Sequence, residues 1–146
     1  MGHGMVRAAA RLDSPAGVCS GGPMIEGVDN GEKISLSKLF EAVGARKINA
    51  ITDADLQRIE MDACPGCGSC AGMYTANSMN CLAEALGIAL PGNGTIPAVM
   101  AARIQLAKHA GMTAMDLVQR GITARQIITP AAIRTALARV MARGGS

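Results

Sequence analysis

The stretch ACPGCGSCAG, residues 63–72, interrupts an otherwise helix-patterned chain with three cysteines at two-residue intervals among glycines and a proline. So much Gly and Pro forbids regular structure, so this is a loop, and Gly66, Gly68 and Gly72 let its backbone approach other groups closely. Thiolates at that spacing can turn toward one point, which makes Cys64, Cys67 and Cys70 candidate soft-metal ligands.

Working outward, Thr52 caps a helix with Asp53 and Asp55 in its first turn, where carboxylates meet the positive end of the helix dipole; it ends near Asp62. On the other side a helix runs from Thr75 or Asn77 through Cys81, Leu82, Ala85 and Leu86 to Gly87, followed by the break LPGNG at residues 90–94. Farther upstream, PAGVCS at 15–20 is short and apolar and runs into Gly21, Gly22 and Pro23, so it reads as one buried strand. Gly27 to Glu32 is polar and turn-rich, and Leu36, Leu39, Phe40 and Val43 form the apolar face of a helix stopped at Gly44.

Downstream, Thr95 with Pro97 opens a helix that stops at Gly111. Thr113 with Asp116, and Thr123 with Gln126, have capping-box spacing and predict a short helix each. Thr129 and Pro130 open a last helix with Ile133, Leu137, Val140 and Met141 on one face, closed by Gly144 and Gly145. The expected fold class is α/β, mostly helical with about one strand. A single strand makes no sheet, so its partners must lie elsewhere.

At 146 residues the chain has the length of one domain, and 49% of it is hydrophobic. Only Phe40 and Tyr74 are aromatic, so each buried residue removes less apolar area from water, as in a layer that packs against more protein. The net charge is +3, and residues 101–146 carry seven Arg or Lys against Asp116 alone. Those charges follow helical spacing without aromatic platforms, the pattern of a solvated or partner-facing surface and not of a nucleic-acid site. Apolar runs fall short of a membrane span, and residues 1–10 lack the apolar core of a secretory signal. Five cysteines, three of them clustered, suit a reducing compartment, so a cytoplasmic protein is expected.

On spacing alone the chemistry of the cysteine loop stays open. A closed zinc site needs four ligands, and His3 and His109 are isolated. Cys64 and Cys67 form a CxxC, but after a helix and not at the strand-to-helix junction of a redox domain. An iron–sulfur cluster can gather thiolates from separate segments. Cys19 and Cys81 read as small buried hydrophobes. A standalone metal or redox protein, with six loop thiolates meeting across a symmetric homodimer, is the competing reading.

The block ACPGCGSCAGMYTANSMNCLAEALGIALPGNGTIPA, residues 63–98, resembles the signature of the dihydroxy-acid dehydratase family. SGGPM at 20–24, LAKHAGM at 106–112 and MARGGS at 141–146 fall in the order of that family. Sugar-acid and phosphogluconate dehydratases of the same superfamily are less similar around the cysteines. The resemblance implies a hydro-lyase that removes water from a small 2,3-dihydroxy acid to give a 2-oxo acid in valine and isoleucine synthesis. It also implies a 2Fe-2S cluster on three cysteines, magnesium on the substrate, and a homodimer built on a parallel-sheet N-terminal domain.

Carried onto this sequence, the family pattern makes Cys70 the one cluster ligand, with Cys64 and Cys67 in the same loop but not ligands. Gly92, Asn93 and Gly94 would shape the loop between two helices. The family's CDK segment, with a second cysteine and magnesium ligands, is expected just before Gly4, where Met1, Gly2 and His3 stand. Residues 1–146 are therefore expected to be part of the family's N-terminal domain, truncated at both ends, without the catalytic serine and inactive alone.

Overall fold

The computed structural model describes residues 2–145. Among them the order is α1 (Gly2–Leu12), β1 (Gly27–Asp29), β2 (Glu32–Ile34), α2 (Leu36–Lys47), α3 (Asp53–Asp62), α4 (Thr75–Ala85), α5 (Ala101–Arg120), α6 (Ala124–Ile127) and α7 (Pro130–Ala142). The mostly helical α/β expectation holds, but the strands lie elsewhere than expected.

Residues 15–20 form no strand. They have lone contacts in place of a ladder: Val18 N–H donates to Ile88 O at 2.8 Å, and Ser20 N–H to Asn93 Oδ1 at 2.9 Å. Cys19 is exposed there, not buried. The sheet is an antiparallel pair, with Gly27 opposite Ile34 and Asp29 opposite Glu32. Asn30 and Gly31 turn the chain at φ of 52° and 84°, as a two-residue hairpin demands. The segment read as a plain turn is thus a hairpin, and its Asn-Gly pair was the signal. The parallel pairing seen is an isolated bridge between Pro23 and Ser69.

Two small cores result. Ile34, Ala42, Ile59 and Ala63, with Leu39, Ile51 and Leu56, join the hairpin to α2 and α3. Ala83, Leu86, Ile88, Ala89, Ala124 and Ala136, with Val6 and Ala9, join α4 to α1, α6 and α7. The cysteine loop leaves the first core at Ala63 and enters α4 of the second, so it sits at their junction.

The helix boundaries show where local signals were outweighed. α2 continues through Gly44 to Lys47. α5 starts at Ala101, with Met100 and not Thr95 as N-cap, and runs through Gly111 and Thr113 to a left-handed Gly121. A mid-helix Gly costs about 1 kcal/mol, too little to stop a helix whose inner side is held by buried Arg103 and Leu106. Thr52 caps α3 as expected, with Asp55 completing a capping box, and the expected box at Thr123/Gln126 forms. α1 has no counterpart among the expected helices, although Val6 and Ala9 are one helical turn apart.

Apolar faces also point outward. Phe40 is 59% exposed, resting edge-on against Tyr74 with ring centroids 6.1 Å apart. On α7 the buried residue is Ala136, whereas Ile133, Leu137 and Met141 face solvent. α5 exposes Ile104, Met112, Met115 and Val118 opposite its buried side. No described helix is long and apolar enough to cross a membrane.

Candidate metal-binding loop

The loop between α3 and α4 is held at Ser69. Ser69 N–H donates to Gly22 O at 2.9 Å, and Met24 N–H donates to Ser69 O at 2.8 Å, which makes the parallel bridge. Gly68 has φ of 129°, and a Cβ there would lie 2.8 Å from the Pro23 carbonyl carbon and the Met24 nitrogen. Only glycine allows this approach. The bridge places residue 70 directly after a fixed backbone position.

Asn77, 7% exposed in the first turn of α4, closes the loop from the other side. Its Nδ2 donates to Cys70 O and to Gly72 O, each at 2.5 Å. Its Oδ1 accepts from Ser69 Oγ, which in turn accepts from Asn80 Nδ2 at 3.1 Å. One buried amide thus satisfies two loop carbonyls that would otherwise be costly to leave unpaired. Asn93, 1% exposed, extends the network: Nδ2 donates to Asn80 O at 3.0 Å, and Oδ1 accepts from Ser20 N–H. Gly94 N–H donates to Glu84 Oε2 at 3.0 Å. Residues 92–94 therefore shape a loop, as expected of them.

The three loop cysteines separate by environment. Cys64 and Cys67 are exposed, and Cys70 is half-buried with its thiol donating to Gly72 O at 3.1 Å. Cys81 is half-buried in α4 and its thiol faces Gly94 O, outside the loop. His3 and His109 are exposed. Among the described residues no group of three or more His, Cys, Asp or Glu is placed to hold a metal ion. This donor set fits one ligand of a cluster and not a whole site. A thiol on a backbone pinned from two sides can serve as that ligand; two solvent-facing thiols on the loop's outer turn lack such support. Asn77, Asn80 and Ser20 were missed as site residues from the sequence, because Asn and Ser in a helix start or a glycine loop read as caps and turns.

The family model described as dihydroxy-acid/6-phosphogluconate dehydratase N-terminal matches residues 2–146. A dihydroxy-acid dehydratase of Desulfatibacillum aliphaticivorans is 59% identical over 98% of this chain and 26% of its own length. The corresponding proteins of Caldanaerobacter subterraneus and Lachnospira eligens are 59% and 58% identical over the same shares. The chain spans about a quarter of the length of these relatives.

Proposed function

The chain belongs to the dihydroxy-acid/6-phosphogluconate dehydratase N-terminal family, and from that premise we propose that it contributes Cys70 as one thiolate ligand to the 2Fe-2S cluster of a dihydroxy-acid dehydratase. The observation that carries this reading is the contrast between Cys70, half-buried on a doubly pinned backbone, and the exposed Cys64 and Cys67. The names of its relatives favour a 2,3-dihydroxy acid over a phosphorylated sugar acid as substrate. In the reaction the C2 hydrogen and the C3 hydroxyl leave as water, and the enol formed becomes a 2-oxo acid.

The cluster, when bound, supplies a Lewis-acidic iron for the departing hydroxyl. The chain's own part is positional. Gly68 and the Pro23–Ser69 bridge set where residue 70 begins, Asn77 fixes its carbonyl, and the Cys70 thiol, which donates to Gly72 O here, is the group that would bind iron. No residue of the chain is assigned to magnesium or to the C2 proton. Two further thiolates must come from outside the described residues, since clusters of this kind need several. Five free cysteines suit a cytoplasmic location, where thiols stay reduced.

The test is a chimera in which this chain replaces the matching quarter of the Desulfatibacillum enzyme. Formation of a 2-oxo acid from a 2,3-dihydroxy acid by the chimera, with none from the 146-residue chain alone, is expected. Turnover by the isolated chain contradicts the reading.

A further inference from the structure

Arg103 is 6% exposed and, among the described residues, has no carboxylate partner; its charge is spread over backbone carbonyls. Nη1 donates to Ser20 O at 3.3 Å; Nη2 donates to Asn93 O at 3.0 Å, to Gly92 O at 3.3 Å and to Ile96 O. Nε is buried without a partner. A Cβ on Gly22 would lie 2.7 Å from that Nε and 2.9 Å from Cζ, so the guanidinium is packed closely against Gly22. Burying an unpaired cation is expensive, and a surface arginine on α5 would not incur that cost. Its position therefore calls for an explanation other than stability.

The strand of backbone that Arg103 holds is the one that holds the cysteine loop. Ala98 N–H donates to Pro23 O at 2.9 Å from the α5 side, while Ser69 N–H donates to Gly22 O from the other. Residues 20–24 thus lie between Arg103 and Ser69, one residue from Cys70. Farther along α5, Ala110, Thr113, Ala114 and Leu117 line a cavity shared with residues 16–18 and 87–90. We infer that Arg103 is a positioning residue for Cys70, acting through the Ser20–Met24 backbone. Its functional meaning rests on Cys70 being the cluster ligand; the mechanical link does not.

Hydrogen exchange on the 146-residue chain tests the link without iron. In the unaltered chain the amides of Met24, Ser69 and Ala98 should open as one unit, with the same denaturant dependence. In Arg103→Lys, which keeps the charge but not the fork, those three should exchange at least tenfold faster. Alkylation of Cys70 should speed up several-fold relative to Cys64, while amides of α2 and α3 stay within about twofold. A uniform rise across all amides would make Arg103 a general stabiliser and overturn the inference, as would unchanged exchange or three amides that open independently. In the chimera described above, Arg103→Lys should lower iron content without abolishing it. Should iron stay full while the amides loosen, the link stands and Cys70 is not the ligand; iron loss with amides unmoved overturns the link alone.

Discussion

Asn77 shows how much of the site rests on one side chain. Its two N–H groups bond Cys70 O and Gly72 O, so Asn77→Ala removes the amide partner of Cys70 O and takes one bond each from Gly72 O, which still accepts from the Cys70 thiol, and from Ser69 Oγ, which keeps Asn80 and Gly22 O. Each such loss costs about 1–3 kcal/mol. Asn77→Ala should therefore lower unfolding free energy by at least about 1 kcal/mol in urea titrations; a change under about 0.5 kcal/mol contradicts the network. Gly68→Ala should be destabilising too, because a methyl at φ of 129° meets the Pro23 carbonyl. Spacing could not separate Cys70 from Cys64 and Cys67, since all three repeat at the same interval; the distinction depends on burial, which a local pattern does not contain. Resemblance singled out Cys70, and its half-burial, against the exposure of Cys64 and Cys67, is the contrast on which the proposal rests.

Elements whose ends depend on side chains within three residues were readable. Thr52 and Asp55 bond reciprocally: Thr52 Oγ1 accepts from Asp55 N–H at 3.1 Å, and Asp55 Oδ2 accepts from Thr52 N–H at 3.1 Å. Thr52→Ala should cost about 1 kcal/mol, read as a lower thermal midpoint. Hydrogen bonds from Thr52, then from Arg58, lower the Asp55 carboxyl from 3.8 to about 2. A depressed carboxyl contributes stability above its unfolded value, and that contribution is lost as pH falls from about 4 through 2. Asp55→Asn should accordingly flatten the stability curve between pH 4 and 2 and leave its shape near pH 7 unchanged; an equally steep acid limb in the variant contradicts the assignment. The same capping logic failed at Thr113 and Asp116. A cap acts only where the backbone has already left the helix, and α5 passes through on contacts distant in sequence. Strand 15–20 failed for a related reason: apolar composition predicts burial but cannot supply a ladder partner.

For the whole molecule, the shortage of aromatics pointed to a layer that needs more protein around it, and the outward Ile104, Met112, Met115 and Val118 of α5 agree with that reading. An apolar face this long in water favours self-association. Light scattering of the isolated chain at micromolar concentration should therefore fall when Met112 and Met115 are both replaced by Glu, with the helical circular dichroism retained; equal scattering in both forms contradicts it. Two modest cores, one on each side of the cysteine loop, make the loop's position a product of the whole chain. That is why the motif was obvious in the sequence and its supports, Asn77, Arg103 and the 20–24 backbone, were not.

Iron counted per chain in the anaerobically purified chimera, with its visible cluster absorption, addresses the central assignment most directly. Cys70→Ser should remove nearly all of both, while Cys64→Ser and Cys67→Ser keep them. Full iron in Cys70→Ser, or its loss in Cys64→Ser, would contradict the account.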